Sequence, residues 1–371
     1  MDNYIINLGK KLKTIQPTNK KMVIGFDGFI DEIIHAVDKR QDSHTFTRIE
    51  TIADLAKRIE KASGLSTNIE LYPLQQKIGG NGPIMCNALA KHDVAITYIG
   101  ALGVPNIHEV FYGLPKNVEL YSFANSGHTD AIEFNDGKLM FGKMSSLNDV
   151  TYENLIQVIG MDKIVSLLNE TDLFAAVNWS MIPNMTDLWE KILIHIVPIL
   201  QKKNKKPVFF IDLADPEKRE VSEIQRALLL LQKFKSHFYV VLGLNKKEAY
   251  DIASMLKLGN EDSSLKEINQ AIYNYLNLDA IVIHPVDRSS TIMNNKYYEA
   301  SGPLAKKPKL TTGAGDNFNS GFVYGLLLGL DPMESLHMGM ATSGYYVRNA
   351  MSPTYNELSE FMINWGNNAI E

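Results

Sequence analysis

Leu310-Thr311-Thr312-Gly313-Ala314-Gly315-Asp316-Asn317-Phe318-Asn319-Ser320-Gly321 is the stretch from which the rest of this chain is most readily understood. Two glycines flanking an alanine let the backbone bend closely around a ligand. Immediately afterwards Phe318, Phe322, Val323 and Leu326 begin a helical pattern. The loop therefore brings free backbone N–H groups and a helix N-terminus to one point, a ready site for a phosphate group. A carboxylate in such a place, Asp316, is costly unless it performs a task. In phosphoryl transfer that task is to take the proton of the attacking hydroxyl while N–H groups hold the transferring group. The plain alternative, an aspartate N-cap, would suffice for an isolated Gly-Asp before a helix.

Working outward, buried strands are expected at Lys21–Phe26, Val94–Ile99, Leu173–Val177, Val208–Ile211, Phe238–Leu242 and Ala280–Ile283, with amphipathic helical stretches between most of them. Such alternation implies an α/β fold with a mainly parallel central sheet and helices on both faces. One region breaks the rhythm. Val118–Phe123, Thr129–Phe134 and Lys138–Lys143 alternate apolar and polar residues around Asn135-Asp136-Gly137, a hairpin signal. This reads as a small β-sheet lid built from about residues 32–48 and 118–145, or equally as an edge hairpin of the main sheet. Asn294-Asn295 is expected to turn a second hairpin over Thr291–Glu299.

Composition narrows the function classes. With 371 residues, 45% hydrophobic and 21% charged, the chain is an ordinary globular protein with enough core for one large domain. A net charge of -5 speaks against a general nucleic-acid binder. A single cysteine, Cys86, leaves neither an intrachain disulfide nor a cysteine-based zinc site. No signal peptide or membrane span is expected, so cytoplasmic residence is the default. Two motifs mislead. Gly137–Lys143 matches most of a nucleotide P-loop, but Met144 stands where the hydroxyl residue belongs and the segment reads as a strand. Gly313-Ala314-Gly315 begins a dinucleotide fingerprint, but Phe318 occupies the third glycine position.

The Thr-Thr-Gly-Ala-Gly-Asp string resembles the C-terminal signature of the ribokinase-like (PfkB) carbohydrate kinases, and the resemblance extends over roughly residues 20 to 350. It implies a three-layer ribokinase-like fold forming one domain over residues 1–371, with a lid. It further implies an anion hole at Gly313, Ala314 and Gly315, with Asp316 as catalytic base. Gly25-Phe26-Asp27-Gly28-Phe29-Ile30-Asp31 resembles the segment whose aspartate holds substrate hydroxyls; spacing leaves both Asp27 and Asp31 as candidates. Lys77-Ile78-Gly79-Gly80-Asn81-Gly82-Pro83 resembles the first family signature, so Gly79, Gly80 and Asn81 are candidate substrate contacts. Ile84 stands where the family usually has an asparagine. Asn245-Lys246-Lys247-Glu248 is similar to the Asn-x-x-Glu motif, which implies that Asn245 and Glu248 organise phosphate and Mg²⁺, the metal through water at Glu248. Thr312 and Asn349 are placed near the nucleotide by the same resemblance.

Two departures matter. His284-Pro285-Val286-Asp287-Arg288 replaces a Gly-x-x-Gly turn, and Leu310 stands where potassium-activated members carry an aspartate, so a monovalent cation is not expected. The cofactors implied are ATP and Mg²⁺, and the partner is a small-molecule alcohol. A sugar is favoured, with a nucleoside, or a catalytically silent sugar sensor, as the alternatives. Dimerisation through the lid is common in the family, which makes a homodimer an expectation. Trp179, beyond the strand Leu173–Val177, is either core or a stacking face for a sugar.

Overall fold

A computed structural model describes residues 2–15 and 20–371. Among the described residues, fourteen strands form two sheets. In chain order they are β1 (Lys21–Phe26), β2 (Phe29–Arg40), β3 (Phe46–Arg48), β4 (Leu71–Gly79), β5 (Ala95–Gly100), β6 (Val118–Ser122), β7 (Gly127–Phe134) and β8 (Gly137–Lys143). There follow β9 (Leu173–Ala176), β10 (Val208–Asp212), β11 (Tyr239–Asn245), β12 (Ala280–His284), β13 (Arg288–Met293) and β14 (Lys296–Ser301). The larger sheet has nine strands in the order β14-β13-β12-β11-β10-β9-β1-β5-β6. Only β13 and β14 run antiparallel to their neighbours in sequence. Their hairpin turns at Asn294-Asn295, both in the left-handed region with φ of 52° and 61°, as the Asn-Asn pair predicts.

The near-continuous apolar runs of the parallel strands follow from burial on both faces. In β10, Val208 and Phe210 enter one core while Phe209 and Ile211 enter the other. The first core lies under the helices Asn81–Ala90, Ala314–Leu327, Pro332–Asn349 and Tyr355–Gly366; the second lies under Met185–His195, Val221–Phe234, Lys246–Met255 and Leu265–Leu276. The result is the three-layer α/β architecture expected. Strand order reverses around β1, which lies between β9 and β5, and such switch points open a crevice at the carboxyl ends of the strands.

The smaller sheet, β3-β2-β7-β8 with β4 on β2, corrects two expectations. Val118–Ser122 is not part of it: β6 pairs in parallel with β5 at the margin of the larger sheet. Alternation alone cannot distinguish a half-covered edge strand of one sheet from a strand of another. Conversely, β4 was not anticipated, although it pairs along β2 from Phe29↔Gly79 to Ala36↔Leu71. Its residues 71–77 are all exposed, and it carries Pro73, which an edge strand tolerates. One face of the small sheet has its own core, in which Ile34, Ala36, Ile132 and Phe134 meet Ile49, Ile52 and Leu55 of the segment leading into and forming the helix Ile52–Lys61. The P-loop look-alike Gly137–Lys143 is the strand β8 of the hairpin.

His92 is fully enclosed, stacked on Tyr324 with centroids 4.6 Å apart, and both its ring nitrogens lack partners. Burial lowers its pKa from 6.5 to about 4, so its contribution to stability is intact above the free-imidazole range and lost as pH falls through 6.5 toward 4. We expect His92→Phe to keep the stack and to gain about 2 kcal/mol relative to the native chain at pH 5, with little gain at pH 7.5. Denaturant unfolding at the two pH values checks this; equal gains would mean that the ring is not held neutral.

Candidate active site

The carboxyl ends of β10, β11 and β12 and the N-termini of the helices Asn81–Ala90 and Ala314–Leu327 meet at one cleft of about 410 Å³. Its polar end is lined by Asn81, Asp212, Asn245, Glu248, His284 and Asp316. The other end is apolar, with Val286, Pro303, Leu304, Pro308 and Val347.

Gly313 caps the helix at φ 86°, a left-handed position that favours glycine. The Ala314 N–H closes a turn onto the Thr311 carbonyl (3.1 Å), and the first helical bond is from Asn317 N–H to the Gly313 carbonyl (3.0 Å). Among the described residues no acceptor takes the N–H of Gly313, Gly315 or Asp316. Of the three residues expected to form an anion hole, Gly313 and Gly315 thus keep free N–H groups, as does Asp316, whereas the Ala314 N–H is used in the turn. Thr312 also differs from expectation. Its carbonyl accepts from the Tyr346 hydroxyl (2.8 Å), while Thr311 lines the cleft.

Asp316 is 8% exposed, and the Asn81 amide donates to its Oδ1 at 3.0 Å. Burial, reinforced by the negative charges of Asp212, Asp27 and Glu248, lifts its carboxyl well above the usual carboxylate range, and the Asn81 hydrogen bond opposes that rise. Asp212 closes the apolar strand β10. It accepts from Asn319 Nδ2 (2.7 Å) and from the Ala214 N–H (3.0 Å), and burial and Glu248 raise it as well. Nothing in the expectations named Asp212. The signal was there, an acid ending an otherwise apolar strand, but only the sheet places it against Asp316.

Asn245 and Glu248 form a capping box: the Glu248 N–H donates to Asn245 Oδ1 (2.9 Å) and the Asn245 N–H to Glu248 Oε2 (2.8 Å). Glu248 also accepts from the Asp215 N–H (3.1 Å). The box fixes the buried carboxylate at the cleft, so the structural reading of the motif and its place in the site coincide. The all-oxygen set of Asp212 and Glu248, both raised by burial and Asp212 also by the charge of Glu248, suits a hard divalent cation.

Asp27 and Asp31 separate. Asp27 is sealed, accepting from the Gly82 N–H (3.0 Å), the Tyr98 hydroxyl (3.2 Å) and Asn178 Nδ2 (2.7 Å), and burial pushes it up to about 6. A Cβ on Gly80 would stand 2.6 Å from Asp27 Oδ2, and one on Gly82 2.4 Å from Oδ1, which explains the glycines flanking Asn81. Asp31 is half-buried on β2 and abuts Gly79, where a Cβ would lie 2.4 Å from its carboxylate. Asn349 lies outside the cleft, exposed, with its amide donating to the Tyr345 carbonyl (2.9 Å); Ser343, Gly344 and Val347, earlier on the same helix, line the cleft instead. Trp179 is core: its Nε1 donates to Thr186 (2.9 Å) and Arg219 covers its ring at 4.7 Å. Arg288 is the exposed first residue of β13, paired with Asp287 (3.0 Å).

Comparison with known proteins agrees with this geometry. A curated relative, the ketohexokinase of Haloferax volcanii, is 25% identical over 343 residues, spanning 92% of this chain and 90% of its own. Solved structures share the fold. The ribokinase of Thermotoga maritima superposes with a TM-score of 0.62 at 16% identity, covering 93% of this chain and 99% of that one. The ribokinase of Arabidopsis thaliana, solved with ribose and ATP, gives 0.63 at 14% identity, with the same two coverages of 93% and 99%. The model of the prokaryotic ketohexokinase family matches residues 12–365, so the chain belongs to that family and is an ATP-dependent kinase acting on a hydroxyl of a sugar or sugar derivative.

Proposed function

We propose that this protein transfers the γ-phosphate of ATP to a hydroxyl of a ketohexose, with Asp316 as the base. The observation that carries the reading is the Asp316 carboxylate, steered by Asn81 and set beside the free N–H groups of Gly313, Gly315 and Asp316 at a helix N-terminus. The substrate class rests on the Haloferax volcanii relative, named a ketohexokinase. As the sugar oxygen bonds to the γ-phosphorus, its proton passes to Asp316 and the bond to the β,γ-bridging oxygen breaks, releasing ADP. The N–H groups meet the charge that develops on the transferring group. Asp212 and Glu248 would hold Mg²⁺, which would supply neutralisation of the phosphates. ATP as donor fits residence in the cytoplasm.

In this reading the chain is one domain and the smaller sheet is its lid, with Asp31 on the substrate side and closure excluding water from the transfer. Asp27, with its acceptor sites filled, organises the Gly80–Gly82 turn and through it Asn81. Exposed apolar side chains at the margins of the small sheet, Leu71, Tyr72 and Leu74 on β4 with Met140 and Phe141 on β8, support pairing of two copies through their lids.

Steady-state assay of purified protein with Mg-ATP should give turnover with D-fructose or another ketohexose well above that with aldohexoses, pentoses or adenosine; a nucleoside as best substrate would overturn the substrate class. Asp316→Asn should fold normally and lose roughly two or more orders of magnitude in kcat. Near-native turnover would remove Asp316 as the base. Because the Asp316 carboxyl is raised, kcat/KM should fall on acidification with a midpoint above the ordinary carboxylate range. Asn81→Leu removes the hydrogen bond that opposes this rise, so its acid limb should move to higher pH; an unmoved or lower limb would show that another group titrates.

A further inference from the structure

Among the described residues, no lysine or arginine lines the cleft, which three carboxylates already border. The imidazole there is His284, at the carboxyl end of β12 and held neutral by burial. Its ring stacks on Phe318 in the first turn of the helix Ala314–Leu327, with centroids 4.7 Å apart and planes at 29°. Its Cε1 lies 3.2 Å from where a Cβ on Gly315 would stand. Its Nε2 is shut off from solvent and has no hydrogen-bond partner. A buried polar atom left unpaired is costly, and in a binding cleft the missing partner is commonly the ligand.

Position says which part of a ligand that would be. The free N–H of Gly315 marks the transferring phosphate, and Pro303, Leu304, Pro308 and Val347 mark the apolar end suited to a base. His284 borders Gly315, lies beside Asn245 in the strand register and is followed by Pro285 and Val286, which also line the cleft. We propose that His284 Nε2 donates a hydrogen bond to the non-transferred phosphates of the nucleotide, making His284 the side chain by which this protein selects nucleoside di- and triphosphates over monophosphates. A flexible glycine turn at this point would offer backbone donors instead; Pro285 has no N–H to offer, and the imidazole supplies the donor in its place.

The proposal rests on the cleft being the nucleotide site, and the test separates the two. Calorimetric titration without sugar would measure ADP and AMP binding to the native protein, His284→Phe, His284→Gln and a control, Ser343→Trp, which fills the apolar end. His284→Phe preserves the stack on Phe318 and removes the nitrogen. It should weaken ADP binding about 10-fold or more while changing AMP binding less than about 2-fold, and raise the KM for ATP with little change in kcat. His284→Gln should recover most of the ADP affinity. Unchanged ADP affinity in a folded His284→Phe protein, with Ser343→Trp abolishing binding, would overturn the role of His284 alone. Unchanged ADP affinity in both variants would overturn the nucleotide assignment of the cleft as well. Equal losses for ADP and AMP would also overturn the proposal, by assigning the ring a merely structural part.

Discussion

Asp212, Glu248 and Asp316 are held within one buried cleft, and the surrounding architecture serves to keep carboxylates where isolated charges would be strongly disfavoured. Each is fixed by donors: Asn319 and the Ala214 N–H on Asp212, the Asn245 and Asp215 N–H groups on Glu248, Asn81 on Asp316. These donors come from four different segments, so the cluster exists only when the sheet and the helix Ala314–Leu327 are assembled. Burial raises all three groups, and neighbouring carboxylates add to the rise at Asp212 and Asp316, which leaves the cleft short of positive charge. The proposed base and the proposed cation site are thereby drawn from one electrostatic arrangement.

The same logic extends to the floor of the site. Asp27 is buried without a cationic partner and survives on three hydrogen bonds, one of them from the N-terminus of the helix Asn81–Ala90. Gly80 and Gly82 let that N-terminus approach the carboxylate, and the approach delivers Asn81 to Asp316. Ile84, where an asparagine is usual in related kinases, packs its Cγ2 3.1 Å from the Cβ position of Gly313. It packs against the loop Gly313–Asp316, while Asn81 makes the polar contact to Asp316. The change at residue 84 thus leaves Asp316 hydrogen-bonded and the loop packed.

The smaller sheet follows a different constraint. A sheet growing from the edge of a domain needs an apolar face covered, and here the helix Ile52–Lys61 covers one face through Leu55 and Ile52. Asp31, half-buried on β2, stands beside Gly79 of β4. The strand β2 runs directly from the Asp27 turn into this sheet, so any movement of the sheet is felt within a few residues of the cleft.

Much of this was legible in the order of residues, because the relevant signals are local. Six parallel strands show as apolar runs because both faces of each are buried, and the loop Gly313–Asp316 shows because a bend, a helix start and an acid occur within four residues. The hairpins β7–β8 and β13–β14 show through their turn residues. What the order of residues left open is what depends on pairing partners. Whether Val118–Ser122 joins the large or the small sheet, that the exposed strand Leu71–Gly79 lies along β2, and that Asp27 is sealed while Asp31 stays accessible were decided by neighbours distant in sequence. So too were the meeting of Asp212 with Asp316 and the unpaired Nε2 of His284. Local patterns specify which elements form, since hydrophobic period and turn chemistry act over a few residues; a side chain's charge state and partners arise only when separate elements exclude water together.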